Sequence, residues 1–230
     1  MFSNVLSRVL ATLLKHVRRY IIFPEVEDLA TVKGGFYTLG QIPNIIGAID
    51  GTHVALSPPH RSEQVYRNRK SYHSMNLQMV CLADQYISQV NAMFPGSVHD
   101  AYILRNSSVP YMMGKLQRHR VWLLGDFGYP NLSWLLTPVR NPRTRAEERY
   151  NEAHGRARRV IKRTFGLLKA RFRCLYMTGG SLFYSPRKED GPDGSVVAAV
   201  ELVEPVDSDE EEAEEEDNDN RESVIQQYFQ

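Results

Sequence analysis

Cysteine is scarce in this chain, which has only Cys81 and Cys174 among its 230 residues. Two cysteines cannot build a disulfide framework or supply a structural zinc cluster. Reduced thiols are typical of the cytosol and the nucleus, so we expect the protein in the nucleus, the cytoplasm or both.

Long apolar runs are also missing, since no stretch approaches the ~18 residues that span a bilayer, and we expect no membrane partner. Acids are missing from residues 1–24, which carry Arg8, Lys15, Arg18 and Arg19. This composition is similar to that of a mitochondrial presequence. An amphipathic helix over residues 3–20 is the favoured interpretation, because no small-residue cleavage site follows.

Acidic residues are concentrated at one end of the chain. Residues 201–230 hold 13 acids and one base, whereas residues 1–200 hold 27 Lys and Arg against 14 Asp and Glu. A body this basic suits a polyanion such as nucleic acid, with a generic basic surface balanced by its own tail as the alternative. Residues 207–219 contain ten acids, too many to bury, and we expect them to be disordered.

Short apolar runs alternate with helical patterns through the basic part of the chain. Five runs are predicted to be strands, at 45–49, 73–83, 86–94, 121–124 and 134–137. Helices are predicted at 3–20, 98–104 and 144–172. Gly34 and Gly35 are expected to break a short helix, and Ser97 to cap the helix that follows it. This order predicts an α/β domain with a mixed sheet.

Two aspartates come directly after buried strands. Asp50 follows the run 45–49 and precedes Gly51, where the chain can turn, and Asp126 follows the run 121–124. Neighbouring strands lie ~4.8 Å apart, so adjacent strand ends would bring both carboxylates to one cation. Carboxylate oxygens favour Mg²⁺ or Mn²⁺, ions that activate water in phosphodiester cleavage. Ordinary aspartates that cap turns are the alternative.

Several motifs occur in the order found in one family of enzymes. They are Ile42–Val54, Tyr66–Lys70, Phe94–Asp100, Leu124–Pro130, Arg149–His154, Arg163–Lys169 and Arg171–Leu175. Together they resemble the PIF/Harbinger transposases and the nucleases derived from them. The resemblance implies an RNase H-like mixed sheet flanked by helices and a catalytic site of three acids. It also implies divalent-metal-dependent hydrolysis of DNA and a separate Myb-like DNA-binding protein partner.

The resemblance assigns a position to each of the three acids, and one acid is missing. Asp50 and Asp126 match the first two and would hold the metal. The third position, on the long helix, is Lys162, where family members carry Glu. Glu152 and Glu148 lie ~15 Å and ~21 Å away along the helix axis and cannot replace it. An ammonium here would repel Mg²⁺ and could pair with both aspartates, so we expect hydrolysis to be impaired.

Three interpretations of Lys162 stay open at this point. The protein is a decayed enzyme, a catalytically inactive DNA- or protein-binding module, or an active enzyme lineage with one changed codon. His99 and Asp100 are expected to orient the start of the helix at 98–104 or to line the site, with a catalytic base pair as the alternative. The long basic helix is expected to contact nucleic acid, with a solvated helix face as the alternative. The candidate contacts are Arg156, Arg158, Arg159, Arg163, Lys169 and Arg171.

The motifs and the composition divide the chain into three segments. Residues 1–40 are expected to be an N-terminal helical segment, the remnant of a helix-turn-helix region. Residues 41–186 are expected to form the RNase H-like nuclease domain, and residues 187–230 a linker and a disordered acidic tail.

Overall fold

A mixed five-stranded sheet forms the centre of the computed structural model, which describes residues 2–58, 63–175 and 217–230. The strands are β1 (Ile45–Ala55), β2 (Ser74–Cys81), β3 (Ile87–Pro95), β4 (Trp122–Leu124) and β5 (Leu135–Leu136). Their order across the sheet is β3-β2-β1-β4-β5. The first three strands pair antiparallel, whereas β4 pairs parallel with both β1 and β5. The predicted RNase H-like mixed sheet is confirmed.

Helices cover both faces of this sheet. They are α1 (Phe2–His16), α2 (Leu29–Gly40), α3 (Glu63–Tyr66), α4 (Asp100–Arg105), α5 (Val109–Leu116), α6 (Arg145–Arg171) and α7 (Asp217–Tyr228). One hydrophobic core lies between the sheet and the helices α2, α6 and α7, and a second lies between the opposite face and α5. None of the described helices is long and apolar enough to cross a membrane.

The long helix α6 is confirmed and begins at a clear N-terminal signal. Oγ1 of Thr144 accepts a hydrogen bond from the backbone N–H of Glu147 at 3.2 Å. The carboxylate of Glu147 accepts one from the backbone N–H of Thr144 at 3.0 Å, which completes a capping box. Its apolar face, including Tyr150, Val160 and Phe165, is buried against the sheet.

Asp50 lies within β1, which extends further than predicted. The strand continues to its end at residue 55 because its second half pairs residue by residue with β2. Gly51 is therefore a strand residue and not a turn. A Cβ at Gly51 would lie 2.5 Å from Oδ1 of Asp100 and 3.0 Å from Oδ1 of Asn76. The missing side chain makes room for a neighbouring acid.

The predicted helix break at Gly34 and Gly35 is wrong, since α2 continues through both residues. A Cβ on Gly35 would lie 3.0 Å from Cβ of Ala83, and one on Gly40 would lie 2.7 Å from Cβ of Ala157. These two glycines let α2 approach the β2–β3 turn and α6 closely. That packing outweighs the ~1 kcal/mol by which glycine disfavours a helix interior relative to alanine.

Two further helix predictions differ from the structure. The helix α4 begins at Asp100 with His99 in the N-cap position, and Ser97 does not cap it. The sequence pattern did not predict α5, which buries Val109, Met113 and Leu116 at helical spacing. Both helices follow turns whose geometry depends on packing against the sheet, so local sequence signals misplace their starts.

The end of the chain does not match the expected disordered tail. Residues 217–228 form α7, which buries Val224 and Ile225 in the core beside α6. The ring of Phe229 meets the ring of Tyr150 edge-on, with centroids 5.7 Å apart. Apolar contacts therefore hold this helix to the domain. The predicted linker and most of the acidic run lie in residues 176–216, outside the described residues.

Substitution of a buried residue of α7 should reveal whether this helix supports the domain. Ile225 is 7% exposed, so we expect Ile225→Ala to lower the free energy of unfolding by roughly 2 kcal/mol. Gln226→Ala, at the exposed neighbouring position, is the control and should change it by less than about 0.5 kcal/mol. Urea denaturation measures both variants. Equal stability of the two variants would show that α7 does not pack on the core in solution.

Candidate active site

Two distant segments of the chain bring Asp50 and Asp126 together. In the parallel pair of β1 and β4, Ala48 lies opposite Leu124, and each aspartate comes two residues after its member of that pair. Because side chains alternate along a strand, Asp50 points to the same face as Ala48, the face that α6 covers. The structure thus places the two predicted carboxylates beside each other, one within β1 and one just beyond β4.

A guanidinium group lies between these two carboxylates. Nη2 of Arg158 is 2.7 Å from Oδ2 of Asp50 and 3.3 Å from Oδ2 of Asp126. The side chains of Arg158 and Asp50 are each 12% exposed, and that of Asp126 is 35% exposed. Neither Nη2 nor Nε of Arg158 meets hydrogen-bond geometry with a described residue. Charge attraction, rather than aligned hydrogen bonds, holds this cation in place.

The roles expected for Arg158 and Lys162 are therefore corrected. Arg158 was expected to contact nucleic acid, but it is largely buried against the two aspartates. Lys162 was expected at the third acid's position, where it could pair with them, but it is exposed and forms no ion pair with a described residue. The two residues are one helical turn apart, ~6 Å along the axis. The axial position of α6 places Arg158, rather than Lys162, beside the two aspartates.

Burial dominates the proton affinity of Asp50 and raises the pKa of this carboxyl to about 6. The positive charge of Arg158 opposes the rise in pKa, and the negative charge of Asp126 adds to it. A hydrogen bond from the backbone N–H of Gly51, 3.0 Å long, also favours the ionised form. One guanidinium therefore does not fully compensate the negative charge gathered at this point.

Asp100 lies against Gly51, on the opposite face of β1 from Asp50. Its Oδ1 accepts a hydrogen bond from Nδ2 of Asn76 at 3.0 Å. Its backbone carbonyl accepts one from Nε2 of Gln78 at 3.3 Å. Asp100 is thus fixed beside the site, as its expected supporting role requires. His99 is exposed and makes no side-chain hydrogen bond or ion pair with a described residue, so no contact carries its expected role.

The polar layer under Asp100 was missed in the sequence, although a signal for it is present. Ser74, Asn76 and Gln78 alternate along β2, a period of two that marks one polar strand face. Nε2 of Gln78 also donates to the hydroxyl of Tyr129 at 3.2 Å. Burial raises the pKa of Tyr129 well above its usual value, so this hydroxyl stays protonated. The layer links β2 to the loop that carries Asp126.

Most of the other predicted nucleic-acid contacts lie on the surface of α6. The exposed residues are Arg156, Arg159, Arg163 and Arg171. Lys169 is half-buried, and its Nζ donates a hydrogen bond to the backbone carbonyl of His53 at 2.7 Å. The positions of these side chains leave them accessible to a phosphate backbone, and their binding stays a prediction.

The arrangement of Asp50 and Asp126 fits a hard divalent cation. Both carboxylates already converge on one positive group, the guanidinium of Arg158. No group of three or more His, Cys, Asp or Glu side chains within the described residues could hold a metal. Asp50 and Asp126 would thus supply two ligands, and water or phosphate oxygens the others.

Comparison with known proteins identifies the family. A family model described as "DDE superfamily endonuclease" matches residues 49–190. The chain belongs to this family. It is 38% identical over 187 residues to "Putative nuclease HARBI1" of Bos taurus, and 37% identical over the same length to that of Homo sapiens. The predicted Harbinger-derived nuclease family is confirmed.

The matches cover most of this chain but only about half of each protein that it resembles. The two alignments cover 81% of this chain and 54% of each relative, so the chain spans about half the length of these curated proteins. "Protein ALP1-like" of Arabidopsis thaliana is 28% identical over 189 residues, which is 75% of this chain and 46% of that protein. No solved structure matches the chain.

Titration of Asp50 should show whether Arg158 lies beside it in solution. Because the guanidinium favours the ionised carboxylate, Arg158→Gln should raise the pKa of Asp50 above its value of about 6. Carboxyl ¹³C NMR, with Asp50→Asn to assign the signal, measures the midpoint. Arg159→Gln removes the same charge from an exposed neighbouring position and should leave the midpoint nearly unchanged. An equal midpoint in the parent and Arg158→Gln would refute the ion pair.

Proposed function

We propose that this protein hydrolyses phosphodiester bonds of DNA with a divalent metal ion held by Asp50 and Asp126. The supporting observation is that both carboxylates converge on a single cation position, one from within β1 and one from just beyond the parallel strand β4. When bound, such an ion polarises a phosphoryl oxygen and lowers the pKa of a bound water. Mg²⁺ and Mn²⁺ are the ions that these oxygen ligands select.

The residues of this chain have distinct roles in the proposal. Asp50 and Asp126 provide the negative charge that binds the ion and fixes its position. Arg158 must move away from Oδ2 of both aspartates before they can hold a metal. The absence of aligned hydrogen bonds at Nη2 and Nε makes that displacement less costly.

Lys162 limits the reaction mainly because it is not a ligand. It is exposed, and two unit charges attract or repel by only ~1 kcal/mol at 4 Å in bulk water. Repulsion from a solvated ammonium is therefore a small effect. By its place in the family motif, residue 162 is the expected position of a third carboxylate. Loss of that carboxylate removes both a metal ligand and a negative charge. We expect slow hydrolysis rather than a different reaction.

A second candidate function is non-catalytic binding to DNA or to a protein partner. The ion pair of Arg158 with Asp50 and Asp126 favours it, because this contact partly compensates the buried charge without a metal. In this alternative the basic surface of α6 binds the DNA backbone and the acids are structural. For both functions we propose a nuclear or cytoplasmic location and a Myb-like protein that supplies sequence recognition.

Nicking of supercoiled plasmid in the presence of Mn²⁺ separates the two functions. The parent should nick slowly, Asp50→Asn should not nick, and Lys162→Glu should nick roughly ten- to a hundredfold faster than the parent. Arg159→Glu introduces the same charge change at an exposed position of the same helix and should not accelerate nicking. If neither the parent nor Lys162→Glu nicks the plasmid, the nuclease function is rejected in favour of binding. Nicking that survives Asp50→Asn would instead show that the site is wrongly assigned.

A further inference from the structure

The turn at Arg69 and Lys70 is held in place by a buried side chain. Asn68 is only 5% exposed, and its Oδ1 accepts hydrogen bonds from the backbone N–H groups of Lys70 at 2.9 Å and Tyr72 at 3.4 Å. Its Nδ2 donates to Oγ of Ser74 at 2.8 Å. An asparagine that bonds the backbone two residues on is a stable turn-forming unit. The turn is therefore fixed to the beginning of β2.

The same network connects this turn to the strand that carries Asp50. Oγ of Ser74 lies 3.0 Å from Nδ1 of His53, and the ring of His53 meets the ring of Tyr72 edge-on at 6.4 Å. His53 follows Asp50 by three residues along β1. At ~3.3 Å per residue, the backbone of His53, to which the turn is anchored, lies ~10 Å along β1 from that of Asp50.

A third cation reaches the same place from α6. Nζ of Lys169 donates to the backbone carbonyl of His53 at 2.7 Å, and two of its three N–H donors are then available. Burial lowers the pKa of Lys169, and the nearby charge of Lys70 lowers it further. Arg69 and Lys70 are exposed. None of the three cations forms an ion pair with a carboxylate of the described residues.

Positive groups gathered in this way can bind an anion. Like charges held close together repel each other, and no described carboxylate compensates them here. A phosphodiester offers charged oxygens to a guanidinium fork and to two ammonium groups at once. Because each strand winds around the duplex, its successive phosphates lie further apart than the ~3.4 Å rise along the axis, and a distance of ~10 Å corresponds to one or two nucleotide steps.

We propose that Arg69, Lys70 and Lys169 form a phosphate subsite that holds the DNA backbone one or two nucleotides from the bond at Asp50. The subsite deepens the proposed nuclease function and rests on it. It contacts phosphate and not bases, so it positions the strand without selecting a sequence. It also assigns a task to the motif Tyr66–Lys70, which neither the metal site nor the core uses.

Binding of a fluorescent 20-base-pair duplex, measured by anisotropy in EDTA at several salt concentrations, tests the subsite without hydrolysis. Each phosphate contact contributes about 0.9 to the slope of log K against log salt concentration. We therefore expect the double variant Arg69→Gln/Lys70→Gln to lower the slope by about 2, and Lys169→Gln to lower it by about 1. The affinity should fall in both.

A matched control removes the same charges from another surface. Lys115→Gln/Arg118→Gln changes two exposed residues in α5 and the turn that follows it, and should leave the slope within about 0.5 of the parent. An equal loss in this control would show that net charge alone matters and would overturn the subsite. An unchanged slope in Arg69→Gln/Lys70→Gln would also overturn it, while plasmid nicking by the parent would leave the nuclease function standing. A parent that binds no duplex at low salt would overturn the subsite as well.

Discussion

The ion pair between Arg158 and the two carboxylates of Asp50 and Asp126 constrains where α6 lies against the sheet. Two anions are brought together, one within β1 and one just beyond β4, and the one in β1 is largely buried. Uncompensated, each ion taken from water costs several kcal/mol, and removing one partner of a buried pair typically costs 3–5 kcal/mol. Arg158 supplies the compensating charge, so the helix that carries it must be held in one position.

The architecture fixes that helix along its whole length. The capping box at Thr144 sets its beginning, its central face packs into the core, and the bond from Lys169 to His53 joins its last turns to β1. The same strand therefore contacts α6 at Asp50 and again three residues later. In the proposed function, the first contact marks the position of the cation and the second would place the strand that is cut. The polar layer of β2 supports the site from the opposite face.

Much of this arrangement could be predicted from sequence, and the failures have physical causes. Strand patterns and ordered motifs locate Asp50 and Asp126, and the cap and periodicity locate α6. Helical spacing puts Arg158 and Lys162 on the same face, but only the tertiary position of α6 decides which one meets the aspartates. Charge in the last segment of the chain concealed the apolar contacts of α7, such as that of Ile225. Local sequence rules describe exposed segments well, but they cannot predict which apolar residues pack against distant parts of the chain.

Manganese binding tests directly whether Arg158 occupies the position that a metal ion would take. The concentration of free Mn²⁺, followed by electron paramagnetic resonance at pH 7.5, gives the affinity without any need for catalysis. Because the guanidinium competes for the same two carboxylates, we expect Arg158→Gln to bind Mn²⁺ roughly tenfold more tightly than the parent. Adding Asp50→Asn to this variant should abolish the gain. An Arg158→Gln variant that binds Mn²⁺ no more tightly than the parent would show that Arg158 does not occupy the position of a metal ion.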